Sequence, residues 1–490
     1  MNKDLHHLSL SELSSMLQKK DISSVELTSY FLDRIDQHNK SLNAFIHIDK
    51  DVSLAEAKQA DLLLQSGAPS PLTGIPIGQK DIFCTTTMPT TCASKTLKGF
   101  TATYNATLIE KCLNIGLVNL GKLNMDEFAM GSTNENSAYG PSYNPWNLKH
   151  CPGGSSGGSA TAVAARIAPC ATGTDTGGSV RQPAAFTGIT GIKPTYGRIS
   201  RSGMIAFASS LDQAGPLTYS AHDAALLLNE FCGHDPKDST SSRLAVPDFT
   251  ANINQSIEGM KIGIPEEFFS KTVLNAECEL KIREAIQQLE KMGAKIIPIH
   301  LPNLKYAIPT YYLLAPIECA SNLARFDGVH YGYRHDSCEN IKDLYELSRE
   351  YGFGNEVKKR ILIGTFASSN EYSDEYYKQA LNARNVIRRD YSRAFKEVDV
   401  ILTPTTTSTA FELGNKSCTP EQMYFSDIYT VTVNLAGLPG MSIPVGFSEQ
   451  GLPVGMQLIG NRFCEDKILQ VAHKFQCETE WHTLCPEQFK

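Results

Sequence analysis

The sequence has no excess of basic residues. It contains 45 lysines and arginines against 52 aspartates and glutamates in 490 residues, a formal net charge of -7. A protein that binds nucleic acid by itself neutralises backbone phosphates with lysine and arginine. Direct nucleic-acid binding is therefore not a function that this composition favours.

Long apolar segments are also missing. Stretches such as TAVAARIAPCA are short and are interrupted by Arg166, whereas a membrane-spanning helix needs about 20 apolar residues in a row. Asp4 and Glu12 lie where a secretory signal peptide has an unbroken apolar region. We therefore expect no membrane association and no secretion, and predict a cytoplasmic protein.

The cysteines and histidines lack the spacing of a metal site. None of the 13 cysteines forms a CxxC pair, and the 12 histidines include no HxxxH or HExxH arrangement. Zinc sites are built from such closely spaced ligands. The sequence predicts no metal and no cofactor in this chain, and reduced, mostly buried cysteines.

Hydrophobic patterning indicates an α/β protein. Three Ser-x-x-Glu patterns, which begin at Ser9, Ser23 and Ser53, predict helix N-termini with reciprocal caps. From LTGIPIGQKDIF onward, short apolar runs bounded by proline and glycine alternate with helical segments, as in α/β layer architectures. The chain has no Ser-rich or charged linker and no repeat of fixed period, so we predict one large domain.

Two glycine-rich stretches resemble known motifs but lack a residue or a strand that those motifs require. GLVNLGKL, residues 116–123, is nearly a phosphate-binding P-loop, but Leu123 stands where a Ser or Thr must hold magnesium, and a buried strand followed by a turn is predicted instead. GGSSG and GSSGG match the nucleophile elbow of α/β-hydrolases, which needs a strand directly before it. The preceding NPWNLKHCP is a poor strand. A serine–histidine mechanism is therefore weakly supported.

A lysine can replace histidine as the base when burial keeps its amine neutral. Free lysine has a pKa of about 10.4, and an apolar environment lowers that pKa because it disfavours the charged form. Lys80 follows the apolar run of LTGIPIGQKDIF, at the end of a predicted buried strand. Taken alone, this stretch leaves open an exposed lysine paired with Asp81.

Together these stretches resemble the amidase signature family. GGSSGGSA is followed by GTDTGGSVRQPAAFTGITGIKPTYGR, and Lys80, Ser155 and Ser179 match the Ser-Ser-Lys triad of that family, with spacings of 75 and 24 residues. The resemblance implies that Ser179 is the nucleophile that forms the acyl-enzyme, that Ser155 is a bridging serine held by a cis peptide, and that Lys80 is the final base.

The resemblance also implies the architecture. We expect a single α/β domain over residues 1–490, with a central mixed β-sheet covered by helices on both faces. Residues 1–65 would form an N-terminal helical segment and residues 66–230 the core with the triad. Residues 231–490 would supply the remainder of the sheet, the substrate-side helices and the C-terminal strands.

Further roles follow around the second glycine-rich stretch. Backbone N–H groups of the same turn can bind the developing oxyanion: Thr176, Gly177, Gly178 and Ser179. Asp175 and Arg181 flank the turn and are expected to brace it through charge-assisted hydrogen bonds, with a surface ion pair as the alternative. For Ser156 and Ser159 we expect turn or helix-cap roles.

Outside these motifs, stretches such as GLVNLGKLNMDEFAMGSTNENSAYGP and NLAGLPGMSIPVG resemble the A subunits of bacterial aspartyl/glutamyl-tRNA amidotransferases, from about residue 5 to residue 480. The resemblance implies a glutaminase that passes ammonia to a B subunit within a heterotrimer of A, B and C subunits. The B subunit would bind the tRNA and use ATP and magnesium to amidate mischarged Glu-tRNA(Gln), Asp-tRNA(Asn) or both.

Glutamine is a zwitterion, so its recognition needs a cation for the α-carboxylate and an anion for the α-ammonium. The candidates by family position are Arg360 and Asp427, with Tyr311 and Ser132 as supporting contacts. Without the resemblance, Arg360 is typical of a solvated helix face and Tyr311 of a core residue.

Two other functions stay open on the sequence. A stand-alone amidase of the same family would act on small amides without partners and without Arg360 and Asp427. A non-enzymatic scaffold with a relic site is disfavoured, because Lys80, Ser155 and Ser179 are all present.

Overall fold

The strands form one mixed sheet. The computed structural model describes residues 4–67, 70–269, 274–369, 373–414 and 425–490, and within these ranges the sheet has eleven strands. They are β1 (Phe45–His47), β2 (Pro76–Lys80), β3 (Val118–Leu123), β4 (Ala171–Asp175), β5 (Thr190–Lys193), β6 (Gln213–Thr218), β7 (Lys261–Pro265), β8 (Lys295–Ile299), β9 (Val400–Pro404), β10 (Gly440–Phe447) and β11 (Pro453–Gly460). Their spatial order is β1-β3-β2-β4-β6-β5-β10-β11-β9-β7-β8.

Parallel pairing brings three strand ends to one edge of the sheet. β2 lies between β3 and β4 and runs parallel to both. The carboxyl ends of parallel strands meet at the same edge, so Lys80, the segment after Leu123 and the turn after Asp175 emerge side by side. This edge carries the site described below.

Helices cover both faces of the sheet. Every residue of β2 to β6, β9 and β11 is buried, which requires packing on both sides. The predicted α/β fold with a mixed sheet is therefore confirmed. The helices are α1 (Leu10–Gln18), α2 (Ser24–Leu42), α3 (Lys50–Gln65), α4 (Thr107–Asn114), α5 (Gly157–Ala164), α6 (Arg181–Thr187), α7 (Ala221–Phe231), α8 (Ala276–Lys291), α9 (Ala307–Asn322), α10 (Ile341–Gly352), α11 (Asn355–Ala367), α12 (Ser373–Ala394), α13 (Ile428–Ala436) and α14 (Glu465–Cys477).

Two of the three predicted capping boxes are confirmed. Ser9 and Ser23 each accept a hydrogen bond from the backbone N–H of the glutamate three residues on, and that glutamate accepts one from the serine N–H. The third prediction is wrong, because α3 begins at Lys50 with Asp49 as its cap. Ser53 lies inside the helix, where its hydroxyl donates to the Asn119 carbonyl of β3 at 2.7 Å.

The stretch GLVNLGKL forms a buried strand, as predicted. β3 continues through Lys122 and Leu123. Lys122 Nζ lies 3.2 Å from Asp81 Oδ1, and both side chains are fully buried. An internal ion pair therefore fixes the end of the strand.

The N-terminal helices share the main hydrophobic core. One cluster of buried side chains runs from Leu5 to Phe489 and includes Leu13 and Phe31. No helix in the described ranges combines the length and the apolar character needed to cross a membrane. The division into segments 1–65, 66–230 and 231–490 stays a prediction.

Candidate active site

Lys80 is the last residue of β2, and its side chain is completely buried. Nζ donates to Ser155 Oγ at 2.8 Å, to Ser156 Oγ at 2.8 Å and to Thr174 Oγ1 at 2.7 Å. The alternative of an exposed lysine paired with Asp81 is therefore excluded. The ammonium or amine of Lys80 instead lies within a ring of hydroxyl groups.

Burial dominates the protonation of Lys80. Desolvation lowers the pKa of this lysine to about 7, although the carboxylates of Asp126, Asp175 and Asp212 act in the opposite direction. An amine with a pKa near neutrality is a usable general base, because a large fraction of it is unprotonated at physiological pH.

Ser155 and Ser156 reach Lys80 from the loop that leads into α5. The peptide bond between Gly154 and Ser155 is cis. Ser156 occupies the N-cap position of α5, but its side chain makes no capping hydrogen bond and contacts Lys80 instead. The expectation of a cap or turn role for Ser156 is wrong for this reason. Ser159 also does not cap the helix, since its hydroxyl donates to the Thr172 carbonyl at 2.9 Å.

Ser179 lies in the turn between β4 and α6 and is 8% exposed. Its carbonyl accepts a hydrogen bond from Ser156 N–H at 3.2 Å, which ties the two glycine-rich stretches together. Among the hydrogen bonds of the described residues, none joins Ser155 Oγ to Ser179 Oγ. The structure thus brings Lys80 and Ser155 into direct contact and places Ser179 on the cleft.

The two glycines before Ser179 permit close packing that no side chain would allow. A Cβ on Gly177 would lie 2.5 Å from the Tyr311 ring, and one on Gly178 would lie 2.4 Å from Thr430 Oγ1. Gly178 also has a φ of +140°, which L side chains rarely adopt. Its N–H donates to Asp175 Oδ1 at 2.9 Å, so this group of the predicted oxyanion hole is already engaged.

Asp175 and Arg181 form a buried ion pair beneath the turn. Arg181 Nη2 donates to Asp175 Oδ1 at 2.8 Å and Nε donates to Oδ2 at 2.9 Å, and both side chains are fully buried. The surface-pair alternative is therefore excluded. Burial alone would raise the pKa of Asp175, but the adjacent guanidinium outweighs it and holds the pKa well below its usual range.

Arg181 also joins distant parts of the chain. Nη1 donates to the Thr430 carbonyl at 3.1 Å and to Gln457 Oε1, and Nη2 donates to Asn434 Oδ1 at 2.6 Å. These partners belong to α13 and β11. The turn that carries Ser179 is consequently anchored to the C-terminal part of the fold.

A narrow cleft opens beside Ser179. The lining combines backbone from the glycine-rich turns with hydroxyl, guanidinium and carboxylate groups: Ala129, Gly131, Ser132, Gly154, Gly177, Gly178, Ser179, Tyr311, Tyr312, Arg360 and Asp427. All four predicted substrate contacts, Ser132, Tyr311, Arg360 and Asp427, are therefore found on one cleft.

Arg360 supplies the positive side of the cleft. It is only 7% exposed, and its Nε donates to Glu356 Oε1 one helical turn earlier at 2.8 Å. The guanidinium carbon lies 5.5 Å from the Phe207 ring centre and 5.8 Å from that of Tyr312. Burial opposes its charge, but Glu356 more than compensates and raises the pKa of Arg360 above its usual value. A solvated helix face is thus excluded for Arg360.

Asp427 supplies the negative side. It precedes α13 but makes no capping hydrogen bond, and its Oδ2 accepts from Ser132 Oγ and from Tyr312 OH, each at 3.1 Å. Burial raises the pKa of Asp427 to about 6, while these hydrogen bonds and Arg360 lower it. A buried carboxylate held in this way is prepared to bind a cation.

Several residues of the site were not predicted from the sequence. Tyr312, and not Tyr311, hydrogen-bonds Asp427, while Tyr311 packs against Gly177. Gln182 accepts from Gly154 N–H at 2.9 Å and donates to the Ser132 carbonyl at 2.8 Å. Thr174 completes the hydroxyl ring around Lys80. In the sequence, Thr174 could have been noticed from its position in GTDTGG, because its neighbour Asp175 on the buried strand points to the opposite face.

In the described part of the chain, no three His, Cys, Asp or Glu side chains are grouped so that they could hold a metal ion. The site combines a buried amine with a pKa near neutrality, serine hydroxyls that contact it or line the cleft, a glycine-rich turn, and opposite charges on one cleft. This combination suits acyl transfer from a zwitterionic amide.

Comparisons with known proteins agree with this chemistry. The family model described as Amidase matches residues 26–469. The chain is 56% identical to the A subunit of the Glutamyl-tRNA(Gln) amidotransferase of Coxiella burnetii, over 99% of this chain and 100% of that protein. It is similar to the solved structure of the A subunit of the Glutamyl-tRNA(Gln) amidotransferase from Thermotoga maritima, with 37% identity, 99% and 98% coverage and a TM-score of 0.82. The native peptide amidase from Stenotrophomonas maltophilia is 30% identical over 97% of this chain and 98% of its own, with a TM-score of 0.82.

Proposed function

The chain belongs to the amidase signature family, and from this premise we propose that it is the glutamine-hydrolysing A subunit of a tRNA-dependent amidotransferase. One observation carries the choice of glutamine. Arg360 and Asp427 present opposite charges to the cleft that also holds Ser179. A simple amide has no charged group for either side chain, whereas an α-amino acid adds a carboxylate for Arg360, which Glu356 already contacts through Nε, and an ammonium for Asp427.

The proposed binding mode follows from these charges. The α-carboxylate of glutamine pairs with the guanidinium of Arg360, and the α-ammonium pairs with Asp427, whose Oδ2 already accepts from Ser132 and Tyr312. The side chain of glutamine then extends toward Ser179.

Catalysis would begin with proton transfer to Lys80. The neutral amine takes the Ser155 hydroxyl proton across the 2.8 Å contact, and Ser155 takes the proton of Ser179. Ser179 Oγ then forms a bond to the amide carbon of glutamine. This step requires the two serine hydroxyls to meet in the substrate complex, and the second contact of Lys80 with Ser156 holds the amine in place meanwhile.

The tetrahedral oxyanion would be stabilised by backbone donors of the turn. Gly178 N–H already donates to Asp175, so we assign this role mainly to Gly177 and Ser179, with Thr176 beside them. The relay returns a proton to the leaving nitrogen, the carbon–nitrogen bond breaks, and ammonia departs. Water, activated by the same relay, hydrolyses the glutamyl ester and releases glutamate.

Partners complete the proposed reaction. Ammonia would pass to a B subunit, which with ATP and magnesium amidates mischarged Glu-tRNA(Gln), Asp-tRNA(Asn) or both. A C subunit would complete the heterotrimer, and the complex would work in the cytoplasm. The net charge of -7 supports a division in which the partner, and not this chain, holds most of the tRNA.

The decisive experiment separates the two chemistries. In the assembled complex, Ser179→Ala should abolish transamidation driven by glutamine and leave transamidation driven by added ammonium chloride near the wild-type rate. The measurement is the formation of amidated tRNA with each nitrogen donor. Loss of both activities in a complex that still assembles would contradict the assignment, because ammonia does not need Ser179.

A further inference from the structure

Residues 126–128 lie between Ser155 and the helix that carries Arg360. The Asp126 N–H donates to the Ser155 carbonyl at 3.2 Å. On the opposite side, Glu127 Oε2 accepts from Gly354 N–H at 2.8 Å. The Phe128 ring packs at 5.7 Å from the Phe353 ring, directly before that glycine. One short segment therefore contacts both halves of the site.

Gly354 is the N-cap residue of α11, and it has no side chain with which to cap the helix. Unpaired N–H groups and a partial positive charge collect at a helix N-terminus, where a carboxylate is stabilising. Glu127 supplies the acceptor oxygen from a different part of the chain, although burial raises the pKa of its side chain to about 7. Its side chain is buried, and its other oxygen accepts from Ser94 Oγ at 2.5 Å.

The contact depends on the glycine. A Cβ on Gly354 would lie 2.4 Å from Glu127 Oε2, so only a residue without a side chain lets the carboxylate approach the helix end. Arg360 follows on the same helix and is held within it by the hydrogen bond to Glu356. A displacement of the start of α11 is thus transmitted to the guanidinium.

We propose that Glu127 is a positioning residue for glutamine: by capping α11 it sets the place of Arg360 relative to Ser179. This inference rests on the proposed function, because only a substrate with an α-carboxylate uses Arg360. Glu127 itself does not touch the cleft, whose lining on this segment begins at Ala129.

The test compares two substrates in the full-length chain, with its partner subunits where they co-purify. Glu127→Ala should raise KM for glutamine about five- to tenfold with kcat within about twofold, because a displaced guanidinium of Arg360 binds the α-carboxylate less tightly. Hydrolysis of propionamide, which has no α-carboxylate, should change by less than about twofold. Released ammonia reports on both substrates.

Three further variants separate positioning from general damage. Glu26→Ala removes an exposed capping carboxylate at the N-terminus of α2, which is not part of the cleft lining, and should leave KM unchanged. Glu127→Gln keeps an acceptor for Gly354 N–H and should stay within about threefold of the wild-type KM. Gly354→Ala pushes the carboxylate away without altering it, and should reproduce the KM effect if Glu127→Ala does not fold.

The outcomes distinguish this inference from the proposed function. A wild-type protein that does not prefer glutamine to propionamide would contradict both. If the wild type prefers glutamine but Glu127→Ala and Gly354→Ala leave its KM unchanged, the positioning role alone is overturned. An equal loss on both amides would also overturn it, since that result indicates a collapse of the lining after Glu127. If Glu127→Gln raises KM as much as Glu127→Ala does, the hydrogen bond to Gly354 N–H is not what positions Arg360.

Discussion

At the scale of single residues, Lys80 shows how burial can substitute for an imidazole. Its amine is held by hydroxyl groups, which stabilise a charge less than a carboxylate does, and it is cut off from water. The carboxylates that oppose the effect of burial act on Lys80 without contacting it. The resulting pKa of about 7 is the property that would let Lys80 serve as the proposed base.

The first prediction at this scale concerns pH. If the neutral amine of Lys80 is the base, as proposed, kcat for glutamine should rise as pH increases through about 7. In the proposed binding mode Asp427, whose pKa burial raises to about 6, is ionised when it binds the α-ammonium, so KM should fall as pH rises through about 6. Steady-state glutaminase assays between about pH 5 and about pH 9 measure both limbs.

Lys80→Ala provides the control for the pH profile. It should reduce kcat by about 10³ or more, with the residual activity no longer rising through pH 7. Wild-type turnover in that variant, or a flat profile in the native protein, would remove the lysine from the mechanism.

The second prediction concerns substrate choice. Glutamine should exceed propionamide by at least about 10³ in kcat/KM, because its α-carboxylate and α-ammonium each gain a charge-assisted contact in the cleft worth roughly 2 kcal/mol. Arg360→Ala and Asp427→Ala should each erase most of this preference, chiefly by lowering kcat/KM for glutamine while kcat/KM for propionamide stays nearly unchanged. Asparagine, one methylene shorter, should bind its charged end and react slowly.

Competition kinetics with the two amides decide the matter. Arg283→Ala is a suitable control, since Arg283 forms an exposed ion pair with Glu279 on α8. If propionamide is hydrolysed as well as glutamine, and Arg360→Ala and Asp427→Ala change neither rate, a stand-alone amidase is the better description of this chain.

The residues of the site differ in how far the sequence could reveal them. The sequence shows the glycine- and serine-rich stretches that contain Ser155 and Ser179 and the apolar run that ends at Lys80. The family resemblance then assigns their roles. Tyr312 could not be distinguished from Tyr311, because adjacent helical residues point in different directions and the orientation of α9 depends on its neighbours. Ser156 looked like a cap, since local patterns do not show that Lys80 approaches from a separate strand.

At the scale of elements, the turn between β4 and α6 concentrates the constraints. Gly178 combines a positive φ, contact with Thr430 and an N–H held by Asp175. A substitution there must move either the turn or α13.

Gly178→Ala should therefore lower kcat/KM for glutamine by about 10² or more, because Ser179 follows directly and small displacements of a nucleophile are costly. Gly451→Ala is the matched control: that glycine also has a positive φ of 73°, but a Cβ there would meet no atom within 4 Å. It should cost only about 1 kcal/mol of stability and leave the kinetics unchanged. Equal activities of the two variants would show that the packing around Gly178 is not critical.

Secondary structure was predictable where local chemistry decides it. The caps at Ser9 and Ser23 are formed within four residues, and the apolar runs of β7 to β11 are too short and too branched for helices. Ser53 was misassigned because Asp49, four residues earlier, caps the helix better and β3 competes for the serine hydroxyl. Propensity cannot show such competition.

At the scale of the whole molecule, the order of the strands is the part that no local pattern contained. β5 pairs with β10, although some 250 residues separate them. β4 pairs with β6, although β5 lies between them in the sequence. The apolar strands implied only that both faces of the sheet are buried. The resemblance to a family supplied the architecture that composition and periodicity left open.

The last prediction tests whether the N-terminal helices belong to this single core. Phe31 is fully buried in the cluster that spans the chain, so Phe31→Ala should cost about 3–5 kcal/mol. Leu62, which is 57% exposed, should cost well under 1 kcal/mol when changed to alanine. Calorimetric scans at one rate should show a lowered Tm for the first variant within a single transition. A separate early transition would indicate an independent N-terminal domain.

Because Arg181 is anchored to Thr430, Asn434 and Gln457, the turn that carries Ser179 is held in place only late in synthesis. A ribosome delivers the residues in order, and Lys80, Ser155 and Ser179 emerge long before the partners that hold the turn in place. Asp427 arrives late as well. A nascent chain therefore carries its nucleophile and base through most of its synthesis without a completed substrate cleft. The enzyme becomes competent to consume glutamine only when nearly all of it has been made.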